Sequence, residues 1–225
     1  MRVYQRGAAQ CVAAADGSVS KPRHGSGSWR DRQERDPYVL QARRDGWRSR
    51  SVYKLEQIDE KERILKPGMI CVDLGAAPGG WCQYVSRKLK ERARIIAVDL
   101  LPMDSLPAVD FIQGDFGDEY VIGQLQDILG TDRADLVMSD MAPNISGNKV
   151  IDQPRAMYLA ELALDACGKV LKPHGDFVCK LFQGQGTDAF VADSRSRFQR
   201  VKVMKPKASR PGSREVYLVA RNYQL

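Results

Sequence analysis

The chain is poor in the residues that build metal and disulfide sites. Its 225 residues hold two histidines, His24 and His174, and five cysteines, Cys11, Cys71, Cys82, Cys167 and Cys179. The cysteine number is odd and no Cys-x-x-Cys occurs, so neither a disulfide framework nor a zinc site is expected. His24 lies in a Gly/Ser-rich stretch and His174 in a Pro-Gly turn, which predicts both to face solvent. Cys71, Cys82, Cys167 and Cys179 fall in apolar patterns and read as core residues rather than nucleophiles. No window approaches the roughly 18 uninterrupted apolar residues of a membrane span. The weak apolar stretch from Gly7 to Ala15 contains Gln10 and runs into Asp16. A chain of the reducing cytoplasm, without metal or membrane partner, is expected.

Charge is present in excess, and it is unevenly placed. The net formal charge is +7, from 35 Lys+Arg and 28 Asp+Glu. Met1 to Lys54 holds 12 basic and 5 acidic residues, which leaves 23 of each for the rest (35 less 12, 28 less 5). A second basic cluster, Arg195, Arg197, Arg200, Lys202, Lys205, Lys207, Arg210 and Arg214, has no acid inside it. Two basic regions around a neutral body predict a polyanion footprint, because lysine and arginine gain affinity by displacing counterions from phosphates. A solvated surface is the competing reading.

Three regions separate along the chain. Residues 1–35 are rich in Gly, Ser, Ala and Arg without apolar periodicity, and read as a flexible basic arm. Residues 36–66 read as helical, with Trp47, Val52, Leu55 and Ile58 on one face and Lys66-Pro67-Gly68 as the stop. From 69 onward β-like and helical runs alternate. The expected strands are 69–74, 94–99, 110–113, 134–140, 176–182, 200–205 and 215–220; the expected helices are 81–90, 118–129, 153–171 and 187–197. One domain over 36–225 follows, an α/β doubly wound sheet whose ligand lies beyond the carboxyl ends of its parallel strands.

The sharpest local feature follows the first strand: Asp73-Leu74-Gly75-Ala76-Ala77-Pro78-Gly79-Gly80-Trp81. Small residues there let backbone approach a ligand, and the next helix offers free N–H groups. Gly-x-Gly-x-x-Gly is absent, which argues against a dinucleotide, and no Gly-x-x-x-x-Gly-Lys-Ser/Thr loop is present to hold a triphosphate. Asp99 ends the next strand, where its carboxylate could accept ribose hydroxyls, and Asp115 follows the third, within reach of an adenine amino group. Acids of adenosine type without a triphosphate loop favour S-adenosylmethionine (SAM) and methyl transfer. After the fourth strand the chain reads Ser139-Asp140-Met141-Ala142-Pro143-Asn144 rather than the Pro-Pro-aromatic pattern of enzymes acting on amino groups, so a hydroxyl acceptor is expected.

These segments, with Asp99-Leu100-Leu101-Pro102-Met103, Gln113-Gly114-Asp115-Phe116 and Ser213-Arg214-Glu215-Val216-Tyr217, resemble the FtsJ/RrmJ ribosomal RNA 2′-O-ribose methyltransferases over about residues 36–221. The resemblance implies a Rossmann-like SAM-dependent methyltransferase fold, a mostly parallel seven-stranded sheet with an antiparallel last strand. It implies a Lys-Asp-Lys-Glu catalytic tetrad at Lys54, Asp140, Lys180 and Glu215, and cofactor contacts at Gly79, Trp81, Asp99, Asp115 and Asp140. It also implies S-adenosyl-L-methionine as cofactor and, as partner, large-subunit rRNA within the ribosomal large subunit or its precursor. A uridine would be the acceptor and a monomer the working form. A silent RNA-binding assembly factor, or an enzyme for tRNA or capped mRNA, are the alternatives. The departures from the family pattern are the longer N-terminal arm and His174 where glycine is frequent.

The physical reading of the tetrad is independent. A ribose hydroxyl is a poor nucleophile, whereas a methyl sulfonium is already activated, so the enzyme must align and deprotonate more than polarise. Lys180 as a neutral amine could take the proton if Lys54 and burial lower its pKa; Asp140 and Glu215 would orient the amines but also raise that pKa. Tyr38, Trp47 and Tyr53 among Arg43, Arg44, Arg48 and Arg50 suit base stacking and phosphate contact, or else plain helix packing.

Overall fold

The computed structural model describes residues 36–224. Cys11, His24 and the arm expected over residues 1–35 lie outside that range. In chain order the elements are α1 (Pro37–Arg44), α2 (Val52–Glu62), β1 (Ile70–Leu74), α3 (Gly80–Leu89), β2 (Arg94–Asp99), β3 (Val109–Gln113), α4 (Glu119–Leu129), β4 (Ala134–Ser139), α5 (Lys149–Val170), β5 (Leu171–Phe182), α6 (Thr187–Arg197), β6 (Phe198–Met204) and β7 (Glu215–Tyr223). The sheet order is β3-β2-β1-β4-β5-β7-β6. The first five strands run parallel, while β7 is antiparallel to both β5 and β6. The order reverses between β1 and β4, the switch point where ligands of such sheets bind.

Period-two alternation sorts each strand between two cores. Val72, Val98, Val137, Phe177 and Leu218 face α4, α5 and α6, with Leu125, Leu164 and Phe190. Cys71, Ile95, Met138, Val178 and Tyr217 face α1 to α3, with Val52, Leu55, Ile58 and Val85. Both faces of the sheet are covered, which is why its central strands read as apolar runs. Cys71, Cys82, Cys167 and Cys179 are all buried and free, as core residues should be.

The segment expected as one helical run is two helices. Asp36 caps α1 by accepting from Tyr38 N, with proline at the first helical position. The chain then turns at Asp45-Gly46, where Gly46 has φ +67°, and residues 46–51 lie against α3. Gln83 accepts from Arg48 N at 2.9 Å and donates to Gly46 O at 2.9 Å. α5 begins at Lys149, four residues earlier than expected: Asn148 caps it, and Pro154 is carried inside. β5 likewise starts at Leu171, because His174, exposed with φ +63°, is an irregularity within a strand rather than a turn that ends one.

Candidate active site

The same alternation delivers the site. Asp140 continues the parity of Leu136 and Met138, Lys180 that of Val178, and Glu215 that of Tyr217 and Val219, so all three belong to the face covered by α2. β7 is antiparallel, so its first residue, Glu215, pairs with Phe182 at the end of β5. Lys54 sits one helical turn before the buried Ile58 on α2. Four charged side chains therefore meet at one point of the carboxyl edge.

The contacts are reciprocal. Lys54 Nζ lies 2.8 Å from Glu215 Oε1 and 3.8 Å from Asp140 Oδ1. Lys180 Nζ lies 3.0 Å from Glu215 Oε2 and 3.4 Å from Asp140 Oδ1. Burying two cations and two anions together is tolerable only because every charge has opposite neighbours. Two further residues, to which the sequence reading gave no role, complete the cluster. Ser209 Oγ donates to Glu215 Oε1 at 2.8 Å, and the Tyr217 hydroxyl donates to Asp140 Oδ1. Tyr217 was legible from its period-two spacing to Glu215; Ser209, on the β6–β7 loop, gave no local signal.

Burial, and secondarily the like charge of Lys180, hold Lys54 below the ordinary lysine value despite its two acids. Burial acts the same way on Lys180, but Asp140 and Glu215 overcome it and raise that lysine. Of the two opposing influences that the sequence reading set on Lys180, lowering by Lys54 and burial and raising by the acids, the acids prevail. Burial alone would raise Glu215; Lys180, Lys54 and Ser209 instead bring it down to about 2.

Beside this cluster the glycine loop forms a small hollow of about 60 Å³, lined by residues that include Asp73, Gly75, Ala77, Trp81 and Asp140. Gly75 has φ +79°, and a Cβ there would stand 2.2 Å from Met141 Cγ. Gly79 has φ +98°, and its Cβ would meet Met103 Sδ at 2.8 Å. Neither position admits a side chain. Burial raises Asp73, at the floor, to about 7, against the lowering contact from Cys82. Asp99 Oδ2 accepts from Ala77 N at 2.8 Å and Oδ1 from Leu101 N at 2.7 Å, so this acid shapes the loop while keeping lone pairs free. Asp115 is exposed and accepts from Gly117 N at 2.9 Å. Trp81 is only 2% exposed; its indole N–H donates to Ser51 O at 2.9 Å and its ring packs on Tyr217. It is a wall between hollow and cluster more than an open stacking platform.

The basic regions look different once folded. Arg200 and Lys202 pair with Glu62, Arg197 with Asp165 and Asp193, and Arg210 with Asp36. The acids missing inside the second cluster come from elsewhere in the chain. Arg50 is held by Asp36 and Ala208 O, and Arg48 by the carbonyls of Pro78, Asp104 and Ser105. Tyr53 is buried with its hydroxyl on Asp45 Oδ2, and Trp47 lies between Tyr84 and Arg87. These aromatics are packing, and Arg43 and Arg44 remain the exposed cations of α1 without an ion pair among the described residues.

Comparison with known proteins agrees with this geometry. Residues 47–223 match the model of the FtsJ-like methyltransferases. Proteins of Pseudomonas paraeruginosa and Pseudomonas aeruginosa named ribosomal RNA large subunit methyltransferase E are 56% identical over 189 residues, 84% of this chain and 91% of theirs. The crystal structure of a ribosomal RNA methyltransferase from Plasmodium falciparum superposes with TM-score 0.72 at 33% identity, over 79% of this chain and 98% of that one. The fold is also that of human methyltransferase-like protein 13, solved with S-adenosylhomocysteine (SAH): TM-score 0.53 at 18% identity, over 76% of this chain and 80% of that one. With the tetrad types, the glycine loop and the strand order in place, and a match that spans all seven strands, the chain belongs to the FtsJ-like methyltransferase family.

Proposed function

We propose that this protein transfers a methyl group from SAM to a ribose 2′-hydroxyl of large-subunit rRNA, with a uridine as acceptor, during ribosome assembly in the cytoplasm. The observation that carries the reading is the buried Lys54–Asp140–Lys180–Glu215 cluster beside the glycine-loop hollow. The hollow suits SAM: the Asp140 carboxylate on its side is complementary to a cationic ligand, and the free lone pairs of Asp99 suit ribose hydroxyls. Gly79, Trp81, Asp99, Asp115 and Asp140 are the residues proposed to hold it. When bound, SAM supplies an activated methyl on a positively charged sulfur.

The chain's own residues then have a defined task. Lys180 and Lys54 direct N–H groups or a lone pair at an acceptor oxygen, while Glu215 and Asp140 fix both amines in place. Lys180 is proposed to take the hydroxyl proton as the oxygen attacks. The cluster favours its charged form, so the proton it holds must first pass to solvent water before Lys180 can act as a base. Asp140 borders both the hollow and the cluster, and a positive charge seated against it weakens its hold on Lys180 and lowers that pKa. No helix among the described residues is long and apolar enough to cross a membrane.

Incubation with labelled SAM and ribosomal particles from cells lacking this protein tests the reading. Label is expected on a ribose oxygen, making the adjoining phosphodiester alkali-resistant. Label on a base, or no transfer while RNA still binds, would favour base methylation or the silent assembly factor.

A further inference from the structure

Two consecutive residues of α5 shape the sheet edge just beyond the cluster. Asp152 accepts from Ser146 N at 2.9 Å, Ser146 Oγ at 2.8 Å and Gly147 N at 3.0 Å, and these bonds, the Ser146 amide first, hold its carboxyl below the usual range. Gln153, 6% exposed, donates from Nε2 to Phe182 O at 2.9 Å and to Gln185 O at 3.1 Å. Two carbonyls on one nitrogen fix the amide's orientation, because the flipped group would set oxygen against oxygen. Thr187 Oγ1 adds a bond to Phe182 O at 3.1 Å. A Cβ on Gly184 would stand 2.8 Å from Gln153 Oε1 and 3.0 Å from Arg214 Nη1, so this wall is closely fitted. One helix therefore pins both the loop at 145–148 and the turn at 182–187.

Between these two walls lies a cavity of about 300 Å³, bordered by Ile145, Lys149, Gln153, Phe182, Ser213 and Arg214. It starts where the cluster ends. Lys180 Nζ lies 5.5 Å from the Phe182 ring centroid, and Arg214 is bonded to Glu215. Its chemistry is mixed in a particular way: an aromatic ring on one wall, the 60% exposed Ile145 on the other, and two cations, Lys149 and Arg214. The bordering acid, Asp152, is committed to three donors. Aromatic and aliphatic surface beside cations that have no ion pair among the described residues fits an unstacked nucleobase with its phosphate. The catalytic residues alone do not need such a cavity.

We propose that this cavity seats the base of the acceptor nucleotide itself, turned out of its stack, while its 2′-hydroxyl lies at Lys180. The proposal rests on the ribose-methylation reading above and names the substrate contact that reading leaves open. Phe182 and Ile145 bracket the base, Arg214 and Lys149 meet the flanking phosphates, and Asp152 and Gln153 act only by holding the walls.

The test is a binding cycle. A synthetic RNA of the sequence found to carry the ribose label is prepared with the acceptor nucleotide intact or abasic, and its Kd is measured with SAH present. Wild type is expected to bind the intact RNA about tenfold tighter, the scale of one stacked base. In Phe182→Ala and in Ile145→Ala, the second an exposed position away from the core, that gap should shrink to about twofold or less, since variant and abasic site remove the same contact. Equal binding of the two RNAs by wild type, or a gap that persists in both variants, overturns the proposal. Failure of the methylation reading is separate, because it shows as label on a base or as no label in the particle assay.

Discussion

The carboxyl edge of the sheet carries acids on both sides of its switch point, and the two sides are built oppositely. On the β2–β3 side Asp99 is half-buried and Asp115 exposed, and the partners holding them are backbone N–H groups: Ala77 of the glycine loop and Leu101 for Asp99, Gly117 for Asp115. On the β4–β5–β7 side Asp140 and Glu215 are largely buried and meet two lysine side chains from distant segments. Water can still compete at the first pair, so those acids suit reversible binding of hydroxyls and amines. At the second pair desolvation strengthens every charge–charge contact, and the pKa values of Lys54, Lys180 and Glu215 are moved from their ordinary values, which is what a proton transfer requires.

The sharpest way to break this contrast is to remove a charge on the buried side. Lys180→Ala is expected to lower the single-turnover methylation rate by roughly a hundredfold or more, the scale of a lost general base, with SAM affinity nearly unchanged. The pH dependence of that rate should lose an ionisation present in wild type. A near wild-type rate would remove Lys180 from the proposed role.

Next comes the exposed side. Asp99→Ala should weaken SAM and SAH by roughly tenfold, the size of one lost hydrogen bond to a charged group, measured by calorimetry, and do less to turnover at saturating cofactor. If turnover falls while affinity holds, the two sides are not divided as described.

Ser209→Ala sharpens the comparison from within the cluster. It removes a donor to Glu215 without touching substrate, and the expected loss in rate is roughly severalfold. Glu215 lies at about 2 in the folded protein against an ordinary value of 4.5. A depressed carboxyl stabilises the fold above its unfolded pKa and loses that contribution as pH falls toward 2. The variant should raise the Glu215 pKa and move the acid-unfolding midpoint to higher pH. Ser209→Thr should restore both, and a midpoint equal to wild type in the alanine variant would assign Ser209 to packing alone.

The smallest effect concerns Asp73, which is buried and borders the glycine-loop hollow. Its carboxyl sits near 7 rather than 3.8, so the fold prefers the neutral form. That preference costs stability increasingly as pH rises from about 4 and levels off above about 7. Asp73→Asn is therefore expected to raise the thermal midpoint relative to wild type by a few degrees, with the gain growing from pH 5 to pH 7 and flat beyond. A gain that does not change with pH would mean that Asp73 is not titrating there.

Much of this was legible along the chain. β2 and α6 fall where alternation and helical spacing place them, and parity alone puts Asp140, Lys180 and Glu215 on one face once the last strand is antiparallel. The failures share a cause. The break after α1 is hidden in the sequence because Trp47, on the loop that packs against α3, and Val52, the first residue of α2, continue one apolar pattern. The helix expected from 153 starts at Lys149 because Asn148 caps it, and Pro154 is carried inside, in its second turn. The basic cluster at 195–214 seemed free of acids because Asp36, Glu62 and Asp165 are remote in sequence.

By itself the sequence determined the strand and helix order, the glycine loop that keeps side chains away from the switch point, and the four residue types of the cluster. These follow from local periodicity and from residues whose backbone or charge admits few alternatives. The tertiary structure alone decided which lysine is depressed, which arginines stay free of acids, and that Ser209 reaches Glu215. Each of those depends on burial and on contacts shorter than about 4 Å between segments far apart in the chain, and Coulomb and desolvation energies change steeply over such distances.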